Sequence, residues 1–405
     1  MADIDDRWYR TVKGPDGKPQ KVPTTRHGRG KRWDVRWRDD NDRQRHRAFE
    51  RKQDAETFLA QARADLIRGT YIDPRAGKIR LRTYAENWLA NQTFDASTRE
   101  AVELRLRLHV LPSLGDRELR ALALRPSLVQ AWTRGLQQSL APNYIRVIFA
   151  NLSAVLQAAT DDGLIAKNPC RAGSVKPPPP DRRKVIPWPA AQPAAVRAAL
   201  PERYAAMVDV ATGCGLRQGE VFGLAVDTVD WLRGIVHVRR QVKIIGSKLV
   251  FAPPKRGKER DVPLAESVAL RLAAHLQAWP AVPVTLPWQP TGRPETARLL
   301  FTTREQTALN RTYFNHYMWK PALRAAGVAA TRENGMHALR HYYASVLLED
   351  GVSVRALADF LGHTDPGFTL RVYAHLMPTS EDRARTAVDK ALASASAPDV
   401  RQGGQ

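Results

Sequence analysis

Apolar and charged positions alternate near the start of the chain. In Trp33-Asp34-Val35-Arg36-Trp37-Arg38 a large apolar side chain falls at every second place, the period-2 pattern of a half-buried strand. Arg43-Gln44-Arg45-His46-Arg47-Ala48-Phe49 follows after a turn rich in Asp and Asn. From Lys52 the period lengthens, with Ala55, Phe58, Leu59, Ala62 and Leu66 at helical spacing. Residues 1–75 are therefore expected to form a small sheet backed by one helix. The charged strand face carries Arg36, Arg38, Arg43 and Arg45, which either track a phosphate backbone or form a solvated basic surface.

Between residues 80 and 170 the apolar positions recur with helical period: Tyr84, Trp88 and Leu89, then Leu104, Leu108 and Leu111, then Val129, Trp132 and Leu136, then Ile145, Ile148, Phe149, Leu152 and Leu156. This pattern predicts an all-helical domain. A proline run, Pro177 to Pro180, lies in a segment 171–187 that reads as a semi-rigid linker and a domain boundary. Residues 188–393 are mostly helical in pattern, interrupted by a β-like stretch from Ile235 to Val262. There Val236-His237-Val238 and Leu249-Val250-Phe251 flank Gly246-Ser247, the expected hairpin turn. A last helix is expected from Ser380 to Leu392, before a small, polar tail, 394–405. The fold class is thus mainly α with small β-sheets: an α+β N-terminal unit, an all-α domain and a mixed, mostly α C-terminal domain.

Charge narrows the partner. Lys and Arg number 63 against 41 Asp and Glu, a formal net charge of +22, which calls for a large polyanion. No apolar run approaches the roughly 18 to 20 residues that span a bilayer, so nucleic acid is the expected guest. The first residues, Met1 to Asp6, carry neither a basic start nor an apolar stretch, and the expected location is the cytoplasm. Cys170 and Cys214, the two cysteines, are too few for a disulfide framework or thiolate metal site and fit a reducing compartment.

Chemistry concentrates near the C-terminus. His337, Arg340 and His341 in His337-Ala338-Leu339-Arg340-His341 stand at i, i+3 and i+4, on one face of a helix running to about Leu348. The His pair has zinc-ligand spacing, but Ala338 replaces the metalloprotease Glu and Arg340 would repel a cation. An arginine flanked by imidazoles suits a phosphate instead, which guanidinium grips bidentately. A second arginine, Arg217, follows the glycine-rich turn Gly213-Cys214-Gly215 and is placed in the first turn of a helix, where the dipole disfavours a cation. Glu220, one turn on, is placed to hold that helix or that guanidinium. Neither arginine accepts a proton, so the candidates for nucleophile and acid are Tyr373, on a short amphipathic helix, and Lys255, on the loop after the hairpin. Taken singly, such a tyrosine is usually core filler and such a lysine usually solvated.

Taken in order, Gly-Leu-Arg217-Gln-Gly-Glu220, Lys255 ahead of Arg260-Asp261-Val262-Pro263-Leu264, His337-x-x-Arg340-His341, Leu361-Gly362-His363 and Tyr373 resemble the tyrosine recombinases of the phage-integrase type. The resemblance covers about Trp188 to Ala393. It implies that Arg217 and Arg340 clamp the scissile phosphate, that His337 and His363 hydrogen-bond it or move protons, that Lys255 protonates the departing 5′ oxygen and that Tyr373 attacks phosphorus. His341 is expected to support Arg340 or its helix. The resemblance also implies a 3′-phosphotyrosyl intermediate that needs neither metal nor ATP. In keeping with this, the four Gly-Lys pairs, at Gly17, Gly30, Gly77 and Gly257, complete no P-loop.

With less specificity, residues 80–170 look like the family's core-binding domain, and residues 1–75 like the arm-binding domain of integrases from phages and mobile elements. The implied partners are double-stranded DNA at attachment sites and a homotetramer assembled on it, with room for an excision factor and a host DNA-bending protein. Two other readings remain open at this stage: a regulator that keeps the fold without strand exchange, and relaxation of DNA in the manner of a type IB topoisomerase.

Overall fold

The computed structural model describes residues 3–13, 17–38, 44–67, 76–181, 185–289 and 291–376, together with a few positions between 385 and 392. Arg43 and most of the expected helix 380–392 lie outside the described residues, as does the tail 394–405. The chain divides into two compact units, Met1–Asp181 and Arg182–Gln405.

In the first unit, strands β1 (Asp3–Asp6), β4 (Trp33–Arg38) and β5 (Gln44–Phe49) form an antiparallel sheet in the order β1-β4-β5, and β2 (Tyr9–Lys13) with β3 (Pro19–Pro23) forms a separate hairpin. The alternation in β4 has the expected effect: Val35 and Trp37 are buried with Ala55 and Leu59 of helix α1 (Lys52–Ile67). Arg36, on the other face, is held by carboxylates, at 2.8 Å from Asp5 and 3.4 Å from Asp34. The β2-β3 hairpin has no counterpart in the apolar pattern because few of its side chains are buried.

Helices α2 (Leu81–Ala90), α3 (Ala96–Arg105), α4 (Leu111–Leu114), α5 (Leu119–Leu124), α6 (Ser127–Leu136) and α7 (Pro142–Asp161) enclose a second core. Ile148, Leu152, Val155 and Leu156 of α7 are fully withdrawn from solvent in it. The proline segment is tied to these helices as far as Asp181. Arg146 donates to the Pro178 carbonyl at 2.9 Å, the Lys176 N–H donates to Gln130, and Asn143 exchanges two hydrogen bonds with the Asp181 backbone.

The second unit begins with α8 (Ala191–Ala199), α9 (Glu202–Cys214) and the short α10 (Gln218–Phe222). Strands β6 (Val229–Asp230), β7 (Ile235–Val238), β8 (Gln241–Ile245), β9 (Lys248–Ala252) and β10 (Arg260–Pro263) follow. Gly246 and Ser247 do form a hairpin turn, both at positive φ, but they join β8 to β9. Val236-His237-Val238 pairs instead with β10, matching Val236 to Val262 and Val238 to Arg260, so that the alternate side chains of both strands enter the core.

After α11 (Glu266–Ala278) comes a hairpin that the apolar pattern does not announce, β11 (Val282–Pro287) with β12 (Pro294–Leu299). Its three prolines read as loop residues, yet a two-stranded ribbon has free edges on which a missing N–H is tolerated. Helices α12 (Arg311–Phe314), α13 (Lys320–Ala325), α14 (His337–Glu349), α15 (Val354–Leu361) and α16 (Pro366–Tyr373) complete the unit. Its core runs from Trp188 to Tyr373 and includes Met207, Phe222, Phe251, Trp319 and Leu339. Among the described residues no helix is long and apolar enough to cross a membrane.

Candidate active site

Two left-handed glycines bring the site together. Gly215 ends α9 at φ 60° and Gly362 ends α15 at φ 62°, conformations that cost a glycine little. Space is also short there: a Cβ on Gly215 would lie 2.4 Å from the Tyr343 ring, and one on Gly362 would lie 3.0 Å from Arg260 Cδ. These turns aim the carbonyls of Gly215 and Leu361 at Arg340, whose Nη1 donates to Gly215 O at 2.8 Å and whose Nη2 donates to Leu361 O.

Arg340 is 1% exposed. Arg217 lies one residue before α10, as its N-cap in extended conformation, and not inside the first turn as the sequence suggests. Its backbone N–H and its Nη1 both donate to Glu220, at 2.8 and 2.9 Å, so one carboxylate fixes both the helix start and the guanidinium. Nη2 of Arg217 donates at 3.3 Å to Leu361 O, the same carbonyl that Arg340 uses. The two guanidiniums are therefore side by side.

Glu220 is shared further. Arg260, which the sequence reading leaves out of the site, donates from Nη1 and Nη2 to both its oxygens and from Nε to the Phe360 carbonyl at 2.6 Å. Burial alone would raise the Glu220 pKa, but the hydrogen bonds of Arg260 and the charges of Arg260, Arg217 and Arg340 overcome it and hold the carboxyl at about 2. The signal for Arg260 is present in the sequence: it shares a strand face with Val262, which is an inward position. Burial and then the charge of Arg217 bring Arg340 down to about 9.

His363 and Tyr373 complete the cluster. His363 Nδ1 lies 2.7 Å from Thr369 Oγ1 and its Nε2 lies 3.2 Å from Arg340 Nη2. An arginine can only donate, so Nε2 is the acceptor and Nδ1 carries the hydrogen, donated to the fully buried Thr369. Burial, then the charge of Arg340 and of its cationic neighbours, lowers His363 to about 4.

Tyr373, the last residue of α16, is 2% exposed, and its Oη lies 2.7 Å from His341 Nδ1. The imidazole expected to support Arg340 thus meets the phenol instead. Burial pushes Tyr373 up to about 12 against the opposing charges of Arg340 and Arg217. Burial and Arg340 bring His341 down to about 4.

His337, one turn before His341, packs its ring edge-on at 4.7 Å and keeps an exposed surface. Enclosure of its ring, then the charges of His341, Arg340, Arg217 and His363, lowers its pKa. Lys255 stands apart, exposed in the turn Lys255–Gly257, and among the described residues no hydrogen bond or ion pair joins it to the other site residues. The lysine that does touch the Leu-Gly-His segment is Lys258, whose Nζ donates to His363 O at 3.0 Å. Among the described residues no group of His, Cys, Asp and Glu is arranged to hold a metal. Cys170 and Cys214 are both buried free thiols, pushed up to about 12 by that burial.

The arrangement is a buried cluster of cations with a buried tyrosine beside it. Arg217 and Arg260 pair with Glu220 and Arg340 adds its charge nearby, a surplus of positive charge in a desolvated place that a phosphate would relieve.

Comparison with known proteins places the second unit in a family. Residues 191–379 match the phage integrase family. An integrase of the phiRv2 prophage of Mycobacterium tuberculosis is 25% identical over 91% of this chain and 88% of its own length. The integrase of Mycobacterium phage L5 is 26% identical over 80% of this chain and 84% of its own. In fold, the Tn1549 transposon integrase bound to transposon right-end DNA superposes with a TM-score of 0.64, at 18% identity, over 77% of this chain and 99% of the other. The lambda integrase tetramer on a Holliday junction gives 0.55 at 15% identity, over 82% and 93%. Residues 191–379 thus belong to the phage integrase family, the tyrosine recombinases of phages and mobile elements.

Proposed function

We propose that the protein is a site-specific DNA integrase that cuts and rejoins DNA through a 3′-phosphotyrosyl intermediate, integrating and excising a phage or other mobile element. One observation carries the reading: Arg217 and Arg340 donate to a common carbonyl beside a buried tyrosine, in a cluster with more cations than carboxylates. A scissile phosphate entering there is gripped by two guanidiniums whose positions are already fixed, and they stabilise the charge that grows as phosphorus becomes pentacoordinate. Tyr373 attacks phosphorus, His337 hydrogen-bonds a phosphate oxygen, His363 does so once it takes a proton on Nε2, and Lys255 protonates the departing 5′ oxygen. The tyrosyl link conserves the energy of the broken phosphodiester. A 5′ hydroxyl from a partner strand then reverses the step without ATP or metal.

The helical region of the first unit serves as the core-binding domain, and residues 1–75 grip arm-type sites through the basic face that includes Arg38; Arg45, paired with Trp37, lies on the other face of the sheet. The working assembly is a homotetramer on double-stranded DNA in the cytoplasm, at the nucleoid, with an excision factor and a host DNA-bending protein as further partners. The relatives, integrases of prophages and phages, support this reading over a regulator or a topoisomerase.

The test is a suicide substrate: nicked DNA spanning the element's junction, incubated with wild type and with Tyr373→Phe in EDTA, then resolved on a denaturing gel. A covalent adduct with the wild type alone is the expected result. An adduct with Tyr373→Phe overturns the choice of nucleophile, and binding without any adduct favours a regulator.

A further inference from the structure

We infer that His341 is the proton acceptor for Tyr373 in strand cleavage, a role that rests on the recombinase reading above. The phenol is almost fully withdrawn from water, so bulk solvent cannot take its proton. Arg217 and Arg340 have no lone pair to offer. Both nitrogens of His363 are engaged, one receiving from Arg340 and the other donating to Thr369. Lys255 is exposed in its own turn. His341 Nδ1, at 2.7 Å, is the basic atom that meets Tyr373 Oη.

The direction of that hydrogen bond follows from chemistry. A protonated phenol donates, so Nδ1 is the accepting nitrogen and the imidazole is neutral with its hydrogen on Nε2. The surroundings keep it so: the groups facing His341 are Arg340 and His337 from its own helix and Tyr373 from α16, and burial together with the charge of Arg340 disfavours the imidazolium. The pair is therefore quiet until DNA arrives. A phosphate beside Arg340 and Arg217 cancels the positive field that opposes protonation of His341. Proton transfer then becomes feasible when the nucleophile is needed.

The step balances. The Tyr373 Oη–phosphorus bond forms while the phosphorus–O5′ bond breaks. The phenolic proton passes to His341 Nδ1, and the 5′ oxygen takes a proton from Lys255. In rejoining, the incoming 5′ hydroxyl returns its proton to Lys255, and Oη leaves phosphorus with the proton held on His341.

The experiment uses the full chain and nicked junction DNA, with an ordinary phosphate or with sulfur in place of the bridging 5′ oxygen, a leaving group that needs no acid. Adduct formation is timed from pH 6 to 9, and DNA affinity is measured alongside. His341→Asn places an amide oxygen near the position of Nδ1, keeping an acceptor without a base. Expected is a loss of about 10²- to 10⁴-fold on both substrates with unchanged affinity, the scale of general-base catalysis. Its rate should climb about tenfold per pH unit, because free tyrosinate must now form, while the wild-type rate on the sulfur substrate stays flat.

A wild-type rate for His341→Asn or a flat profile in that variant would show that Tyr373 does not need His341 as its base, and rescue by sulfur would move His341 to the leaving group; each would overturn the inference. So would a tenfold-per-unit climb in the wild type, a readout that does not depend on the variant folding. Absence of adduct from the wild type sinks the recombinase reading itself, and the inference with it.

Discussion

Glu220 and Arg260 form a two-point ion pair, Oε1 to Nη1 at 3.0 Å and Oε2 to Nη2 at 2.7 Å, with side chains only 1% and 3% exposed. Because Glu220 also holds Arg217, this pair frames the arginine cluster proposed to clamp phosphate. Removing one partner strands the other charge in the core, so Glu220→Gln should lose about 3–5 kcal/mol of unfolding free energy. The carboxyl is held below its ordinary value, so its stabilising share is complete above the unfolded pKa near 4.5 and fades as pH falls toward 2. Denaturant titrations should show the wild type losing its advantage over Glu220→Gln across that window. Equal midpoints for the two proteins at pH 7 would refute the account.

Arg340 uses its planar fork to meet two carbonyls that point at it from separate turns, Gly215 and Leu361. A lysine is a single point charge and cannot span them. Arg340→Lys should therefore cost about 10²- to 10³-fold in the rate of adduct formation, as for loss of a transition-state donor. It should also leave a buried carbonyl unpaired, lowering stability by about 1–3 kcal/mol. Timed adduct formation and thermal melting check the two halves separately, and a lysine variant with normal rates would remove Arg340 from the clamp.

Much of the site is legible in the sequence because its residues fall in short segments whose spacing is fixed by one helix or one turn. His337, Arg340 and His341 share a face of α14 by helical period alone, and Leu361-Gly362-His363 ends a helix through a glycine that sequence can recognise. What the chain does not announce are pairings between distant segments. Arg260 reaches Glu220 across 40 positions, and His341 reaches Tyr373 across 32. No local rule selects those partners. The same holds for strands: β7 passes over the apolar run nearest in sequence to pair with β10, since Val236, Val238 and Val262 can then share one buried face.

His341 and His363 are both held near 4, below the ordinary imidazole value of 6.5. The unfolded chain thus binds protons that the folded chain refuses. Stability from these groups is complete above pH 6.5 and is lost as pH falls toward 4. The urea midpoint should drop between pH 7 and pH 5, and inorganic phosphate should offset part of the drop by stabilising protonated His363 beside Arg340. Side-chain nitrogen shifts followed by NMR would report the same upward movement of the His363 titration. A midpoint unchanged over that range, with or without phosphate, would mean that the two imidazoles are not shielded as the structure places them.

Residues 1–75 carry 19 of the chain's 63 lysines and arginines, but not every arginine there is available to DNA. Arg36 is already matched by Asp5 and Asp34, and the Arg47 guanidinium lies over Phe49 and Phe58, at 5.2 and 5.0 Å from the ring centroids. Arg36→Ala should therefore change affinity for arm-site DNA by less than about threefold, because its intramolecular partners already absorb most of its charge. Deleting residues 1–75 is a different matter: it should abolish footprints flanking the crossover region while sparing the core site, and it should flatten the dependence of log affinity on log salt by about one unit per lost phosphate contact. Footprinting and salt titration of the deletion variant measure both. Flanking protection that survives the deletion would show that the arm contacts reside elsewhere in the chain.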